Sequence, residues 1–337
     1  VTTGSATRLP IGRAAYTYLL DADGRCLDDL IVYRLAPERF MAVVNAATAQ
    51  KNWKWLTGVN EGKYQIVRGD SGARLPVHTE LIDLKGAASR DAGRLDLAFQ
   101  GPKSREVLQR LIATEEERHM LQGMRANHVC SVTLDGVPVE IARTGYTGEA
   151  VGFEIFVHPQ AAATVWEALL KVGDEDRVVP AGLGARDSTR TEAGFPLYGN
   201  ELAGPLDLTP TEAGFGRLVK SFKPFFIGRD AYVRRTAQHT HSIARFEITD
   251  EHVPMARHGD PVTDRRGAWV GAVTSATRVA DGRQIGMAHV ANAHARRRTE
   301  LRVFAGVAAR RPSPPSSPAE PGPGGRYILP ARATVIS

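Results

Sequence analysis

Two consecutive aspartates, Asp28 and Asp29, stand in a segment that otherwise has the composition of a β-strand. Residues 26–35 are rich in aliphatic and β-branched side chains, whereas acidic residues are depleted in strands. Two interpretations are open. The pair can face water at the edge of a sheet, or one carboxylate can occupy a partly apolar pocket, where loss of solvation tunes its proton affinity for acid-base chemistry.

The turn at residues 21–24 predicts a hairpin between this strand and residues 13–20. Cross-strand pairing with an even number of loop residues places Tyr16 and Tyr18 on the face of Asp29. The neighbouring aspartate then points to the other side of the sheet. The hairpin therefore predicts that Asp29 is the member of the pair that lies among aromatic side chains.

Residues 143–149, with the sequence RTGYTGE, form a second candidate site ahead of a strand that carries Glu154. Glycines at this spacing allow a backbone to approach a ligand closely, although an ordinary surface loop can have the same composition. The motif fits neither a dinucleotide-binding loop nor a Walker loop, so it does not indicate phosphate binding.

A third candidate is a predicted short helix at residues 184–194, in which Arg186 and Arg190 stand four apart on one face. Arg186 has the forked geometry needed to bind a carboxylate with two hydrogen bonds. Alternatively, Asp187 and Arg190 form a surface ion pair that contributes little.

The composition narrows the classes of function. The net charge is +6, but basic and acidic residues are interspersed, so a mildly basic surface is favoured over nucleic-acid binding and would suit an acidic substrate. No apolar run is long enough to cross a bilayer and no leader opens the chain, which predicts a cytoplasmic protein without membrane contact.

Cys26 and Cys130 lack metal-ligand spacing, so no metal site is predicted, and Cys26 is expected to be a buried, inert thiol.

The 337 residues, of which 42% are apolar, are enough for two or three domains. Strands and helices alternate irregularly, with hairpins, and this order predicts an α+β fold rather than a doubly wound parallel sheet. Strands are predicted at residues 13–20, 26–35, 40–45, 129–134, 137–142 and 153–157, and helices at 48–56, 104–112 and 160–172.

Short, regularly spaced strands between residues 241 and 304 predict a small C-terminal β-barrel or sandwich. We therefore expect an α+β region at 1–222, a linker at 223–238 and a barrel domain at 239–337. The Pro-, Ser- and Gly-rich residues 311–325 cannot form a packed core and are expected to be a disordered insertion.

Several motifs together resemble one family. DDLIVYRL and VVNAA are followed by RTGYTGE, GFEIFV, PAGLGARDSTRTEAGFPLYGNEL, TPTEAGFG and FFIGRDA. In this order they resemble the motifs of the glycine cleavage T-protein family, and the matches cover the chain from about residue 12 to residue 231. The resemblance implies a folate-binding α+β core of antiparallel sheets with helices, followed by a C-terminal β-barrel.

The resemblance also implies a reaction. Tetrahydrofolate would be the co-substrate, and its N5 would attack the methylene carbon of an aminomethyl group on the lipoyl arm of the H-protein, with release of ammonia. By their places in the motifs, Asp29 matches the catalytic aspartate and Glu154 the glutamate that holds the pterin ring. The resemblance further implies that the pocket contains Tyr16, Asn45, Tyr146 and Arg186.

Some features of the sequence differ from the family's pattern. The chain begins after the FAGW-like and FDVSHM-like runs, which suggests an N-terminal truncation, and the loop after Gly148 is one residue longer than usual. Two other functions stay open: a tetrahydrofolate-dependent O- or S-demethylase acting on a small-molecule methyl donor, and a non-catalytic folate-binding protein of iron-sulfur cluster maintenance. The latter carries a KGCYxGQE-type motif, where this chain has Lys220-Ser-Phe-Lys and no cysteine.

Overall fold

The computed structural model describes residues 1–67, 73, 75, 78–86, 91–307 and 329–337. The predicted insertion at 311–325 lies outside these ranges. Contacts divide the chain into two compact units, of which the first comprises Val1–Ala22, Asp28–Gly182 and Lys223–Ile227. The second comprises Asp23–Leu27, Leu183–Phe222 and Gly228–Ser337. The domain boundaries inferred from the sequence, at residues 222 and 238, remain a prediction.

The first unit begins with a three-stranded sheet in the order β1-β2-β3. Its strands are β1 (Arg13–Leu20), β2 (Cys26–Arg34) and β3 (Phe40–Val44), and β2 pairs with β3 in antiparallel fashion. Because β2 is the central strand, its two aspartates are not an edge pair. Asp28 is fully buried and Asp29 is 8% exposed, so the interpretation as a water-facing pair is wrong.

A second, antiparallel sheet of the first unit has the order β4-β7-β6-β5. The strands are β4 (Leu95–Gln100), β5 (Val129–Leu134), β6 (Val137–Ala142) and β7 (Gly152–Val157). One face packs on helices α2 (Ser104–Leu111), α3 (Glu115–Gly123) and α4 (Ala162–Val172) through a core that includes Leu108, Ile155 and Val165. The alternation of side chains turns Glu154 to the opposite face.

That opposite face packs against the first sheet. Tyr33 of β2 and Met41 of β3 share a cluster with Ala142 and Phe156 of the second sheet, and the rings of Tyr33 and Phe156 meet edge to face with centroids 5.3 Å apart. Two β-sheets therefore face each other in this unit, with polar side chains of β2 and β7 directed into the space between them.

Helix α1 (Ala49–Asn60) connects the two sheets and is longer than the sequence predicted. The sequence placed the end of this helix at residue 56, before Gly58, and that boundary is wrong. The glycine lies inside the helix because the ring of Tyr64 packs against it, where an added Cβ would collide with the ring. Tyr64 also stacks on Trp55 with centroids 5.2 Å apart.

The second unit contains a closed six-stranded barrel in the order β10-β11-β8-β13-β12-β9. Its strands are β8 (His241–Ile248), β9 (Pro261–Thr263), β10 (Trp269–Arg278), β11 (Gln284–Ala291), β12 (Glu300–Val303) and β13 (Ala331–Val335). Buried Phe246, Val262 and Leu301 belong to its core. The predicted fold class, an α+β region followed by a β-barrel, is confirmed.

Two further helices belong to the second unit, α5 (Leu183–Ala193) and α6 (Arg229–Gln238). Helix α6 lies within the stretch that the sequence predicted as a linker. Within the described part of the chain, no helix combines the length and apolar character needed to cross a membrane.

Candidate active site

Asp29 and Tyr16 form the centre of the candidate site in the first sheet. The Tyr16 hydroxyl donates a hydrogen bond of 2.6 Å to Oδ2 of Asp29, and its ring meets that of Tyr18 edge to face, with centroids 5.3 Å apart. The prediction that Tyr16 lies on the same face as Asp29 is thereby confirmed. The site combines a carboxylate with two aromatic rings, as the alternation of side chains required.

Asp28, on the other side of β2, accepts hydrogen bonds from several groups around its carboxylate. Asn45 donates through Nδ2 to Oδ1 at 2.9 Å and through its backbone N–H to Oδ2 at 3.3 Å. Thr48 donates to Oδ2 at 2.8 Å, and buried Asn52 donates to the same oxygen. These donors offset the cost of burying a carboxylate, which would be large without them.

Asn45 links the two aspartates. Its Nδ2 lies 2.9 Å from Oδ1 of Asp28 and 2.9 Å from Oδ1 of Asp29, so one amide group donates to both carboxylates. The residue stands directly after β3, whose pairing with β2 brings it beside the aspartates. Asn45, which the sequence matched to a pocket asparagine, therefore lies at the site and fixes the distance between the two acids.

Burial raises the pKa of the Asp29 carboxyl above its ordinary value, and the neighbouring charge of Asp28 raises it further. The hydrogen bonds from Tyr16 and Asn45 oppose this shift because they stabilise the ionised form. Burial outweighs them. Asp29 therefore accepts a proton more readily than an exposed aspartate does.

Glu154 lies on β7 and is half-buried. Its Oε2 accepts a hydrogen bond of 2.6 Å from the hydroxyl of Tyr33 and another from Thr144, whose hydroxyl is 3.0 Å from that of Tyr33. Burial and the charge of Glu154 raise the pKa of Tyr33, so this phenol stays protonated and serves as a donor. The carboxylate is thus held in one orientation by two hydroxyl groups.

Tyr33 lies on the same strand as Asp29 and is hydrogen-bonded to Glu154. Every second residue of a strand points to the same face, so residues 29, 31 and 33 of β2 face one side of the first sheet. Tyr33 reaches Glu154 from that side. Asp29 and Tyr33 are four positions apart along the strand, or about 13 Å. Both predicted carboxylates consequently belong to the region between the two sheets of the first unit.

Gln100, at the end of β4, holds the loop that carries Tyr146. Its Nε2 donates to the carbonyl oxygens of Thr144 at 3.2 Å and Phe153 at 3.0 Å, while Thr147 donates to its Oε1 at 3.1 Å. The side chain lies so close to the backbone that a Cβ at residue 145 or 152 would collide with it. This close packing explains Gly145 of the RTGYTGE motif and Gly152 of the GFEIFV motif. Tyr146 is half-buried in the same loop.

Asp96 is a further acid on the same sheet face, and sequence reasoning missed it. In the register of β4 and β7, Asp96 pairs with Phe156 and Ala98 pairs with Glu154, which makes the two acids diagonal neighbours. Burial and the charge of Glu154 raise the pKa of Asp96 to about 7, and Lys85 opposes the shift. An acidic residue at an inward-facing position of a strand would have marked Asp96 as a candidate. Residues 95–100, however, were not predicted as a strand.

Comparisons with known proteins identify the family of this chain. Residues 1–223 match the family model described as the GCVT N-terminal domain. The chain is 40% identical over 309 residues to a protein named aminomethyltransferase from Symbiobacterium thermophilum, a match that covers 90% of this chain and 75% of that protein. The chain belongs to the glycine cleavage T-protein family.

Other members of the T-protein family show the same relationship. An aminomethyltransferase of Thermoanaerobacter pseudethanolicus is 38% identical over 258 residues, which make up 76% of this chain and 62% of that relative. The crystal structure of glycine cleavage system aminomethyltransferase T from Bartonella henselae matches with a TM-score of 0.75 at 26% identity. The match covers 100% of this chain and 78% of the Bartonella chain. The matches thus span between 62% and 78% of the length of these relatives.

The first unit of this T-protein family member holds five of the six residues that the sequence singled out. Tyr16 and Asn45 are hydrogen-bonded to Asp29, whereas Tyr146 and Glu154 lie on or beside the second sheet. Tyr33, Thr144, Gln100, Asp28 and Asn52 surround them, although the motifs had not assigned those residues a part in the site.

Arg186 belongs to the second unit, where it is exposed on α5. The neighbouring Arg190, proposed above as one half of a surface pair, is instead buried. Its guanidinium binds Glu201 at 2.9 Å, Ser275 at 2.8 Å and Asp187 at 2.5 Å. Glu201 is fully buried, so this ion pair belongs to the interior of the second unit and joins α5 to the barrel.

Proposed function

We propose that this chain transfers the methylene group of an aminomethyl-lipoyl H-protein to tetrahydrofolate, with release of ammonia and of the reduced lipoyl arm. Family membership supports the class of reaction. The observation that carries the proposal is the hydrogen bond from Tyr33 to Glu154, because Tyr33 shares a face of β2 with Asp29. Asp29, which is suited to proton transfer, and Glu154, which is suited to ring binding, therefore face the same space between the two sheets of the first unit.

The surroundings of Glu154 fit a reduced pterin. Within the described residues, the hydrogen bonds to this carboxylate all reach Oε2, which leaves Oε1 able to accept from a ligand. The amino-pyrimidine edge of a pterin presents two N–H groups that a carboxylate can accept. Ala98, directly opposite Glu154 on β4, is exposed and gives a small, uncrowded surface beside it.

When bound, tetrahydrofolate supplies the nucleophilic amine, N5. Asp29 would take the proton of that amine at its carboxylate and direct a proton toward the departing ammonia. Its raised pKa, caused mainly by burial, brings its proton affinity closer to what this exchange requires. Tyr16 and Asn45 hold the carboxylate in place from two sides, so proton transfer takes place at one fixed position.

The remaining roles are part of the same proposal. Tyr146 would line the pterin pocket from the loop that Gln100 holds. Arg186 would contact an acidic group of the folate, for which its forked guanidinium is suited. We further propose that the reaction takes place in the cytoplasm and that the H-protein is the physiological partner.

The test is a single-turnover assay of the full chain with tetrahydrofolate and aminomethylated H-protein. Formation of methylene-tetrahydrofolate together with one ammonia per turnover is the expected result. If no product forms although tetrahydrofolate binds, and a methylated small molecule instead donates its methyl group, the demethylase function replaces this one. Binding without turnover of either donor would indicate a non-catalytic folate-binding protein.

A further inference from the structure

Asp96 is an acid that the proposed reaction does not use, yet it lies next to Glu154. The two residues stand on adjacent strands, offset by two positions on one sheet face, where Cα atoms are about 7–8 Å apart. Long-range repulsion between the two carboxyl groups is one cause of the raised pKa of Asp96. A ligand that reaches Glu154 along β4 therefore comes close to Asp96 as well.

The surface between the two acids is open. Ala98 is the residue of β4 that lies between Asp96 and Gln100 on this face, and it is exposed although it pairs with Glu154. The side chain of Ala98 is a single methyl group. A flat ring resting on Ala98 can contact both acids.

One oxygen of Asp96 lacks a partner. Oδ1 is shielded from solvent, and no described residue donates a hydrogen bond to it. A shielded carboxylate oxygen without a donor is costly, and the cost is removed either by protonation or by an N–H group from a ligand. The titratable and charged groups that face Asp96 are Glu154 on β7, Tyr33 on β2, Glu140 on β6 with its partner Arg94, and Lys85.

We propose that Asp96 is a second ligand-binding carboxyl group beside Glu154 and accepts a hydrogen bond from an N–H group of a nitrogen-rich ring. This inference rests on the proposed function, which places a reduced pterin against Glu154. A reduced pterin offers more N–H groups than one glutamate accepts, and Asp96 takes one of those that remain. The N–H donor favours the ionised carboxylate, so binding releases the proton of Asp96 to the solvent.

The experiment counts protons. The full chain is titrated with tetrahydrofolate by calorimetry near pH 6.5 in buffers of different ionisation enthalpy, so that the buffer dependence of the heat gives the number of protons released. Asp96→Asn keeps the shape of the side chain but cannot release a proton, and Asp96→Leu is the second variant. Asp135→Asn, which removes an exposed carboxylate from the turn between β5 and β6, is the matched control.

The expected result is that wild type and the Asp135→Asn control release about half a proton more per ligand than Asp96→Asn does. At pH 7.5 and above, Asp96→Leu binds tetrahydrofolate about tenfold more weakly than wild type. Equal proton release by wild type and both Asp96 variants, with equal affinities, overturns the inference while the proposed function stands. Failure of wild type to bind tetrahydrofolate would overturn both, which separates the two cases.

Discussion

At the scale of single residues, Asp28 and Asp29 differ because they point to opposite sides of the same strand. Asp28 is enclosed by donors from Asn45, Thr48 and Asn52, whereas Asp29 meets Tyr16 and keeps slight contact with solvent. The enclosed carboxylate provides a fixed negative charge beside the reactive one. That charge adds to the effect of burial in keeping the proton affinity of Asp29 high.

Replacing Asp28 with Asn is expected to move the pH dependence of turnover. A base is active in its ionised form, so the rate rises with pH through the pKa of Asp29. Loss of the Asp28 charge lowers that pKa, and the rise in kcat/KM then occurs at lower pH than in wild type. A pH-rate profile at fixed ionic strength measures the shift, with Asp135→Asn as the control for loss of a carboxylate. An unchanged profile in an active Asp28→Asn variant would show that Asp28 has only a structural role.

The part of this pair that the sequence could predict is its geometry along the strand. Alternation and the length of the turn were enough to place Tyr16 against Asp29. The contacts of Asp28 with Thr48 and Asn52 could not be predicted, because those residues belong to a separate segment whose approach to β2 depends on tertiary packing.

At the scale of elements, Gln100 holds one end of the second sheet together, because its side chain packs directly on the backbone of Gly145 and Gly152. It connects the end of β4, the start of β7 and the loop of Tyr146, and this packing requires glycine at positions 145 and 152. Thr144, which holds Glu154, is the residue before one of these glycines. The orientation of the ring-binding carboxylate therefore depends on a contact between elements.

Gly145→Ala is expected to weaken both stability and folate binding. The added methyl group collides with Gln100, and overpacking of this kind costs about 1–3 kcal/mol. Since Thr144 moves with the loop, the Kd for tetrahydrofolate should rise by severalfold. Gly123→Ala is the matched control, because its Cβ would meet no atom within 4 Å. Thermal unfolding and equilibrium binding measure the two effects, and a Gly145→Ala variant indistinguishable from Gly123→Ala would contradict the assignment.

Prediction at this scale succeeded where hydrophobic alternation was strong. The hairpin, the strands β5 to β7 and the barrel were all predicted from their alternating or β-branched residues. Strand β4 was missed although Leu95, Leu97 and Phe99 alternate with Asp96, Ala98 and Gln100, and with the strand the acid beside Glu154 was missed as well. The three-residue β9 was also missed, because so short a segment shows little alternation.

At the scale of the whole molecule, each unit has its own core and its own buried polar contacts. In the second unit, Arg190 and Glu201 form an ion pair inside the protein, and Ser275 of β10 donates to Glu201 at 2.6 Å. The helical periodicity of α5 indicated which residues share a face, but it could not show that the barrel covers one of them. The burial of Arg190 depends on tertiary packing against β10, so local periodicity could not predict it.

Arg190→Met is expected to destabilise the second unit strongly. Removal of the guanidinium leaves Glu201 buried without its cation, and breaking such a pair costs about 3–5 kcal/mol. The double variant Arg190→Met/Glu201→Gln removes the uncompensated charge and should recover part of the loss. Chemical denaturation of the three proteins measures the free energy of unfolding. If the single and double variants are equally stable, the buried charge is not the cause of the destabilisation.

The central claim is that Asp29 acts on the reaction while Glu154 acts on the binding of one and the same folate. The most direct measurement compares the Kd for tetrahydrofolate with the single-turnover rate in Asp29→Asn and Glu154→Ala. We expect Asp29→Asn to lower the rate by about 100-fold or more with little change in Kd. We expect Glu154→Ala to raise the Kd by about tenfold, because an N–H edge of the ring loses its acceptor. Equal losses of rate and affinity in both variants would contradict the account.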